Sequence, residues 1–524
     1  FVAALLAKTV ACTLPVVLLL LLWWRRQRID RRMLVATLPL FAIGAALALV
    51  TIWMEHTHVG ARGALFELSP LQRVLIAGRA LWFYVAALVW PHPLSFVYAR
   101  WEVDPRAWWQ WVFPLAALAV GIGLWLARAR LGRWPLVAAV GFAVTLAPAL
   151  GFVDVYPMRY TFVADHYQYL ASLFVIAPVA AGIAIGAARF GMPAAAVAGP
   201  LLAVLAGLTW QRTSVFADQE TLWRDVIAKD PRGSMALVNL GMWLHRHERS
   251  PEAATTLQEA VRRDPDDAEI LGNLGIVLAS LGRGAEARAH LERAVALAPA
   301  SAHAHNNVAN ALAAEGRLAE AADHYRAAVG LDAGYADAQN NLANVLVQQG
   351  HPDEAITRYE AAIAADQGYV TAHVNLATVL AGAGREEEAI AHYRAAVRLD
   401  PTLADAQRAL GGRLAARGQF AEAVEHLGAA ARLRPQQVEA QYQFAAGLAG
   451  ADRLDEAITA YGRALALTPD DADLHNDIGV AFARRGDRSA AATEFRKVLE
   501  LQPDHAEARS NLAALEAPPP PAAR

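Results

Sequence analysis

The stretch NLGIVLASLGRGAEARAHLERAVALAP, residues Asn273–Pro299, decides the fold of the second half of this chain, because it recurs. Three periods later, Asn375–Pro401 reads NLATVLAGAGREEEAIAHYRAAVRLDP, with the same residue types at the same places. The period is marked by prolines that stand 34 residues, or a multiple of 34, apart: Pro231, Pro265, Pro299, Pro401, Pro435, Pro469 and Pro503. Self-similarity at this fixed period predicts a solenoid of repeated helix pairs.

The residue types within one period have a physical explanation. Gly275 or Ala377 stands where the paired helices cross and lets the backbones approach, and Leu291 or Tyr393 fills the space between successive pairs. Proline ends the second helix because it cannot continue one. A glycine recurs between the two helices, where a left-handed C-cap is expected: Gly282, Gly316, Gly350, Gly384, Gly418 and Gly486.

The repeats set the boundaries of the second half. A 34-residue period is that of the tetratricopeptide repeat. About eight full repeats run from Ser234 to Pro503, with a partial repeat before them at Thr213–Lys229 and a closing helix at Ala506–Leu515. We therefore predict an all-α protein with a tetratricopeptide superhelix at 211–515 and a proline-rich disordered tail at 516–524.

Residues 1–210 have the composition of a transmembrane domain. A membrane span needs about 20 mostly apolar residues. Six stretches qualify as spans: Val2–Trp24, Leu34–Trp53, Trp109–Ala127, Trp134–Phe152, Tyr169–Ala188 and Pro193–Trp210. The predicted architecture is a polytopic helix bundle followed by the repeats.

A seventh apolar segment, Val74–Trp90, is interrupted by Arg79. A charge at mid-bilayer costs at least about 2.5 kcal/mol, so we predict a re-entrant or interfacial segment at 74–90. Arginines crowd the loops at 25–32 and 128–133, and basic loops favour the cytoplasmic side. With six spans these loops share one face, so the repeats are expected outside the cytoplasm of a bacterial inner membrane.

Composition excludes several classes of function. The formal net charge of -3 gives no global basic field, so nucleic acid is not an expected partner. The single cysteine, Cys12, excludes an internal disulfide framework and a cysteine zinc site. No Walker loop, dinucleotide fingerprint or serine-hydrolase elbow occurs in the sequence, and no cofactor is identified from its motifs.

A ladder of asparagines occupies one slot on the first helix of successive repeats: Asn239, Asn273, Asn307, Asn341 and Asn375. A carboxamide offers both a donor and an acceptor, which suits the backbone of an extended peptide. Repeats stack about 10 Å apart and extended chain rises about 3.3 Å per residue, so one rung meets about every third peptide residue. The alternative is a structural residue that bonds to the neighbouring helix.

Four histidines share one slot on the second helix of their repeats: His290, His324, His392 and His426. This periodicity indicates one surface residue per repeat and not a cluster. His303 and His305 are two residues apart and lie on different helix faces. We therefore predict no metal site.

The segment VDVYPMRYTFVADHYQ, residues 153–168, is expected on the outer face of the membrane. Its Arg159, Asp165 and His166 are candidates for binding the phosphate of a sugar donor, since Arg is a natural phosphate partner. The alternative is an interfacial aromatic belt with an Arg–Asp pair.

Three segments resemble one known group. They are AKTVACTLPVVLLLLLWW (Ala7–Trp24), WFYVAALVWPHPLSFVYARW (Trp82–Trp101) and YPMRYTFVADHYQYLASL (Tyr156–Leu173). Followed by repeats, they resemble bacterial relatives of the transmembrane and tetratricopeptide repeat-containing proteins, which are similar to C-type glycosyltransferases and protein O-mannosyltransferases. The resemblance implies a polyprenyl-phosphate sugar donor and a catalytic acid in a loop upstream of Phe1. Because Phe1 already lies in an apolar run, an N-terminal portion is expected to be missing.

The repeats also resemble the superhelix of O-linked N-acetylglucosamine transferase, in which a similar asparagine ladder holds the acceptor peptide. Two functions follow as alternatives. One is an extracytoplasmic protein O-glycosyltransferase, in which the membrane half presents a lipid-linked sugar and the repeats present the acceptor. The other is a non-catalytic, membrane-tethered scaffold for partner proteins.

Overall fold

The computed structural model describes residues 9–26, 29–55, 57, 66–91, 94–152, 158 and 160–516. All regular elements in these ranges are helices, and no β-strand occurs in them. The chain divides into two compact units, Phe1–Gly282 and Arg283–Arg524. The predicted all-α class is confirmed.

In the described part of the first unit, seven apolar helices come first. They are α1 (Leu14–Arg26), α2 (Arg31–Met54), α3 (Pro70–Val89), α4 (Val112–Leu131), α5 (Trp134–Leu146), α6 (Tyr169–Arg189) and α7 (Ala194–Thr213). Within the described residues, five helical segments are long and apolar enough to cross a membrane by length and composition: Arg31–Met54, Pro70–Val89, Trp108–Leu131, Asp165–Arg189 and Ala194–Phe216. Four of the five coincide with stretches that the sequence predicts as spans.

The helix predicted at Trp134–Phe152 ends earlier than expected. α5 stops at Leu146, and a single 3-10 turn follows at Ala147–Ala149. Pro148 has no N–H to donate, so the helical hydrogen bonding is interrupted there. Gly151, at φ +86°, then turns the chain. Of the predicted span Val2–Trp24, the first residues lie outside the described ones.

α3 is a continuous helix, although Arg79 lies in its middle. It starts at Pro70 with a capping box, in which the backbone N–H of Ser69 donates to the Gln72 side chain at 2.9 Å. The guanidinium of Arg79 lies 4.4 Å from the ring centre of Trp101. In the most apolar stretch of α3, 33% of the residues are buried, compared with 0–11% in the other four candidate spans. Arg79 is half-buried, and its contact with the Trp101 ring accommodates the charge within the helix.

The repeats continue through both units. In the first unit they comprise α8 (Gln219–Lys229), α9 (Met235–Arg246), α10 (Ser250–Arg263) and α11 (Ala268–Ser280). The second unit contains α12 (Gly284–Leu297), α13 (Ala302–Ala314), α14 (Leu318–Leu331), α15 (Ala336–Gln348), α16 (Pro352–Ala365), α17 (Val370–Gly382), α18 (Glu386–Leu399), α19 (Ala404–Ala416), α20 (Phe420–Leu433), α21 (Val438–Gly450), α22 (Leu454–Leu467), α23 (Ala472–Arg485), α24 (Arg488–Leu501) and α25 (Ala506–Glu516).

All six glycines predicted as left-handed C-caps have positive φ, between +73° and +93°. Two repeats lack this glycine, and the chain still turns the same way there. Glu248 and Asp452 stand at the equivalent positions and adopt φ of 61° and 59°. The stacking of the helices therefore imposes the left-handed conformation even on residues that disfavour it.

The two junctions without proline keep the geometry of the others. After α14 the backbone N–H of Gly334 donates to Oδ1 of Asp332 at 2.9 Å, and after α16 that of Gly368 donates to Asp366 at 2.9 Å. The same aspartate turn occurs where proline is present, since the backbone N–H of Thr402 donates to Oδ1 of Asp400 at 2.9 Å, so the turn does not depend on the proline. The stacking is unbroken at Ala333 and Gln367, because a buried cluster that includes Tyr325, Leu342 and Leu376 runs past both.

Candidate peptide-binding face and membrane-proximal loop

Two members of the asparagine ladder are bonded to the preceding repeat. On α17, Nδ2 of Asn375 donates to Oδ1 of Asn340 at 3.1 Å and to Oδ1 of Asn344 at 3.2 Å, both on α15. On α15, Nδ2 of Asn341 donates to Asn310 at 3.2 Å, and to Asn306 at 3.4 Å. Here the structural interpretation of the ladder holds, since these amides join stacked helices.

This bonding depends on the residue 35 positions earlier. Asn306 precedes Asn341, Asn340 precedes Asn375, and Asn476 precedes Asn511, whose Nδ2 donates to it at 3.4 Å. The residues 35 positions before Asn273 and Asn307 are Val238 and Gly272, which offer no side-chain acceptor. Sequence reasoning missed Asn306 and Asn340, although the 35-residue offset between asparagines is visible in the sequence.

A tyrosine from the second helix completes each bonded group. The hydroxyl of Tyr359 donates to Oδ1 of Asn344 at 2.6 Å, and that of Tyr325 donates to Oδ1 of Asn310 at 2.5 Å. Each of these carboxamide oxygens therefore accepts two hydrogen bonds. Their positions are held from both sides, which fixes the direction of the amide groups.

Several amide groups remain without a partner among the described residues. These are the Nδ2 groups of Asn310 and Asn344, the Oδ1 of Asn375, and the complete carboxamides of Asn273 and Asn307. Asn273, Asn307 and Asn375 are half-buried on the first helices of their repeats. Asn239 differs, because its Nδ2 donates to the carbonyl of Met235 in its own helix at 2.9 Å. Unpaired donors and acceptors in one slot complement a peptide group.

The membrane-proximal loop presents Asp165 and His166 differently. Oδ1 of Asp165 accepts a hydrogen bond from the hydroxyl of Tyr98 at 2.8 Å, and Asp165 is half-buried. Burial raises the pKa of the Tyr98 phenol, which keeps this hydroxyl a donor. His166 is exposed, and its ring lies 4.5 Å from that of Tyr167. Arg159 lies outside the described residues.

The described residues of this loop before Asp165, 158 and 160–164, are packed into the protein. Met158 and Phe162 are buried beside Phe66 and Ile76. The guanidinium of Arg100 lies 4.8 Å from the ring centre of Phe162. The loop is thus held by an aromatic and apolar core, which gives Asp165 a fixed position.

A large apolar cavity of about 850 Å³ opens among α1, α5 and α6. Its lining includes Val17, Trp134, Phe174 and Ile185 and contains almost no polar surface. Neither Asp165 nor His166 lines it. The cavity is of a size and chemistry to accommodate a hydrocarbon chain.

Comparison with known families identifies the second part of the chain. A tetratricopeptide repeat model matches residues 217–268, 246–302, 273–336, 340–404 and 477–517. A second tetratricopeptide repeat model matches 312–367, and a TPR repeat model matches 452–486. From about residue 217 onward the protein is therefore an array of tetratricopeptide repeats. None of the curated proteins compared with the chain matches it.

Solved structures of repeat proteins are similar to parts of the chain. YrrB, described as a TPR protein with an unusual peptide-binding site, is 27% identical, with 36% of this chain and 97% of that chain covered and a TM-score of 0.34. MamA from Desulfovibrio magneticus RS-1 is 23% identical, covering 33% and 97%, with a TM-score of 0.30. PilF of Pseudomonas aeruginosa is 22% identical, covering 40% and 95%, with a TM-score of 0.37.

Proposed function

We propose that this protein is anchored in a bacterial inner membrane by its apolar helices and binds an extended polypeptide along the first helices of its repeats, outside the cytoplasm. The observation that carries this proposal is the pair Asn273 and Asn307. Both residues occupy the ladder slot, yet neither side-chain amide makes a hydrogen bond among the described residues. Stacking between repeats explains Asn341 and Asn375 but leaves these two without a structural role.

Recognition would go through the peptide backbone. Carboxamides at one slot per repeat, about 10 Å apart, meet about every third residue of an extended chain. Each amide pair contributes about 0.5–1.5 kcal/mol net, so several rungs act together. Binding by this route is largely independent of the side chains of the peptide.

The test uses the full chain in detergent and a fluorescein-labelled pool of random peptides, followed by fluorescence anisotropy. The variant Asn273→Ala/Asn307→Ala should bind the pool about tenfold or more weakly than the parent, because two rungs are lost. The matched control is Gln348→Ala/Gln349→Ala, which removes two carboxamides at the end of α15, outside the ladder slot. Equal binding by the Asn273→Ala/Asn307→Ala variant and the parent would contradict the proposal.

The resemblance of the membrane half adds a catalytic role to this proposal, namely protein O-glycosyl transfer from a polyprenyl-phosphate-linked sugar. Two observations support it: Asp165 is held in position by the Tyr98 hydroxyl, and an apolar cavity of about 850 Å³ suits the chain of a membrane lipid. Asp165, His166 and Arg159 would then bind the donor. The alternative is a scaffold that binds polypeptide without modifying it.

One experiment separates these two roles. The parent, reconstituted in lipid vesicles with a polyprenyl-phosphate mannose and the random peptide pool, is assayed for mannosylated peptide by mass spectrometry. Transfer of mannose that is lost in the Asp165→Asn variant, and kept in the control variant Asp104→Asn, supports the enzymatic role. Peptide binding without transfer by the parent supports the scaffold, and leaves the peptide-binding proposal intact.

A further inference from the structure

Two histidine pairs lie within the repeats of the second unit, 68 residues apart (373 − 305 = 68). Nδ1 of His305 on α13 is 3.1 Å from Nδ1 of His324 on α14. Nδ1 of His373 on α17 is 3.0 Å from Nδ1 of His392 on α18. Periodicity alone indicates isolated surface histidines on the second helices, but in these two repeats each of them faces a second imidazole.

The first-helix histidine of the first pair is held by the backbone. Nε2 of His305 lies 3.2 Å from the carbonyl oxygen of Pro299, and Gln367 stands at the equivalent position, six residues before His373. Because a carbonyl can only accept, Nε2 must carry the proton. In the neutral imidazole the lone pair is then on Nδ1, which points at the partner histidine. Metal-binding histidines are commonly held in this way, by a second-shell bond from the other ring nitrogen.

The backbone bond by itself does not require histidine. In the repeat that follows the second pair, Nε2 of Gln407 donates to the carbonyl of Pro401 at 3.1 Å. Oε1 of Gln407 then lies 2.7 Å from Nδ1 of His426. Glutamine therefore satisfies the same structural bonds, so the fold does not require a second imidazole at this position in the other two repeats.

From this geometry we infer that the His305–His324 and His373–His392 pairs are two equivalent binding sites for a divalent transition metal ion that prefers imidazole, with zinc as the reference ion. Tetrahedral zinc with Zn–N bonds of about 2.0–2.1 Å places two nitrogen ligands about 3.3 Å apart. The observed separations of 3.1 Å and 3.0 Å need only a small opening. Imidazole also suits cobalt, nickel and copper.

The surroundings supply a carboxylate to each pair, because Glu292 and Glu360 lie near enough to His324 and His392 to interact electrostatically with them. Glu292 on α12 and Glu360 on α16 are also 68 residues apart and exposed. Among the described residues no three ligands are already assembled, so the remaining positions are filled by rotation of the glutamate or by water.

The test measures zinc binding to the full chain in detergent after removal of metal with a chelator. Competition with a chromophoric chelator should give one zinc ion per histidine pair, and cobalt should give the visible absorption of tetrahedral coordination. The His305→Gln variant should retain one site. The His305→Gln/His373→Gln variant should lose both, with affinity reduced by at least about 100-fold, more than the loss of a second-shell group. Because the chain already uses glutamine in this slot, these variants should keep the parent's helical circular dichroism and melting temperature.

The matched control is His290→Gln/His426→Gln. These histidines occupy the same slot as His324 and His392, but Leu271 and Gln407 stand nineteen residues before them in place of histidine. This variant should bind as much zinc as the parent. Three results would overturn the inference: a parent that binds no zinc, unchanged binding after both pairs are altered, or an equal loss in the control.

Discussion

Gly411 on α19 lies directly against Leu427 on α20, so that a β-carbon added to Gly411 would come 2.6 Å from Cγ of Leu427. The same relationship joins Gly241 to Leu257, at 2.7 Å. Where the second helix carries tyrosine, the crossing residue is alanine instead, in four pairs: Ala309 and Tyr325, Ala343 and Tyr359, Ala377 and Tyr393, Ala445 and Tyr461. The branched leucine fills the space above the crossing, whereas tyrosine accommodates one methyl group in these four pairs. Phe495 does not, since a β-carbon added to Gly479 would come 2.6 Å from its Cε1.

Gly411→Ala should therefore destabilise the repeats by about 1–3 kcal/mol, because the new methyl group overpacks a buried contact. Adding Leu427→Tyr should restore part of the loss, since it recreates the Ala–Tyr pair of other repeats. The control Gly412→Ala has nothing within 4 Å of the added β-carbon and should stabilise by about 0.5–1 kcal/mol. Thermal melting followed by circular dichroism checks all three. Strictly additive effects of the Gly411→Ala and Leu427→Tyr changes would contradict this explanation.

Glu248→Gly should stabilise the chain, because Glu248 adopts φ of 61° at a position where other repeats have glycine. A non-glycine residue in the left-handed region costs about 1–2 kcal/mol, part of which is offset by the greater freedom of glycine in the unfolded chain. The expected gain is a rise in the melting temperature. The reverse change Gly316→Ala, at φ +77°, should lower it. A fall in melting temperature for Glu248→Gly would show that the Glu248 side chain stabilises the fold by more than its backbone strain destabilises it.

Asn375→Ala should destabilise the chain by about 1–3 kcal/mol, since it removes the donor to Asn340, whose side chain is 3% exposed. Asn307→Ala should change stability by less than about 0.5 kcal/mol, because no bond among the described residues is lost. Urea unfolding followed by circular dichroism measures the difference. Equal destabilisation by the two variants would assign Asn307 to stacking and remove the main support for peptide binding.

Ser301→Cys, in a Cys12→Ala background, should react with a membrane-impermeant thiol reagent in cells whose outer membrane is removed and whose inner membrane is intact. The reason is that basic loops favour the cytoplasmic side, and the six spans predicted from the sequence then place the repeats outside. Leu131→Cys, at the end of α4 beside the basic residues of 128–133, is the control and should react only after lysis. The opposite pattern for both positions would reverse the topology.

The repeats could be predicted from the sequence more fully than the hydrogen bonding of the candidate site. The left-handed glycines were predictable because a helix C-cap is a local requirement, met within one repeat. The bonding of Asn341 and Asn375 was left between two alternatives, because it depends on which side chains of the preceding repeat come within reach. The re-entrant or interfacial placement of 74–90 stays a prediction. The contact of Arg79 with Trp101 could not be predicted, since it joins residues that are not neighbours in the sequence.

The sequence by itself determined the helix pairs, their period and their turns, because helix formation, glycine caps and apolar patterning act over a few residues. Only the tertiary structure decided which polar groups are occupied. Asn341 and Asn307 are the same residue in the same slot, and they differ in what the preceding repeat places against them. Likewise His324 faces His305 and His426 faces Gln407, a distinction set by the packing of two helices. Hydrogen bonding and metal coordination require atoms within about 3.5 Å, and only the packed helices set such distances.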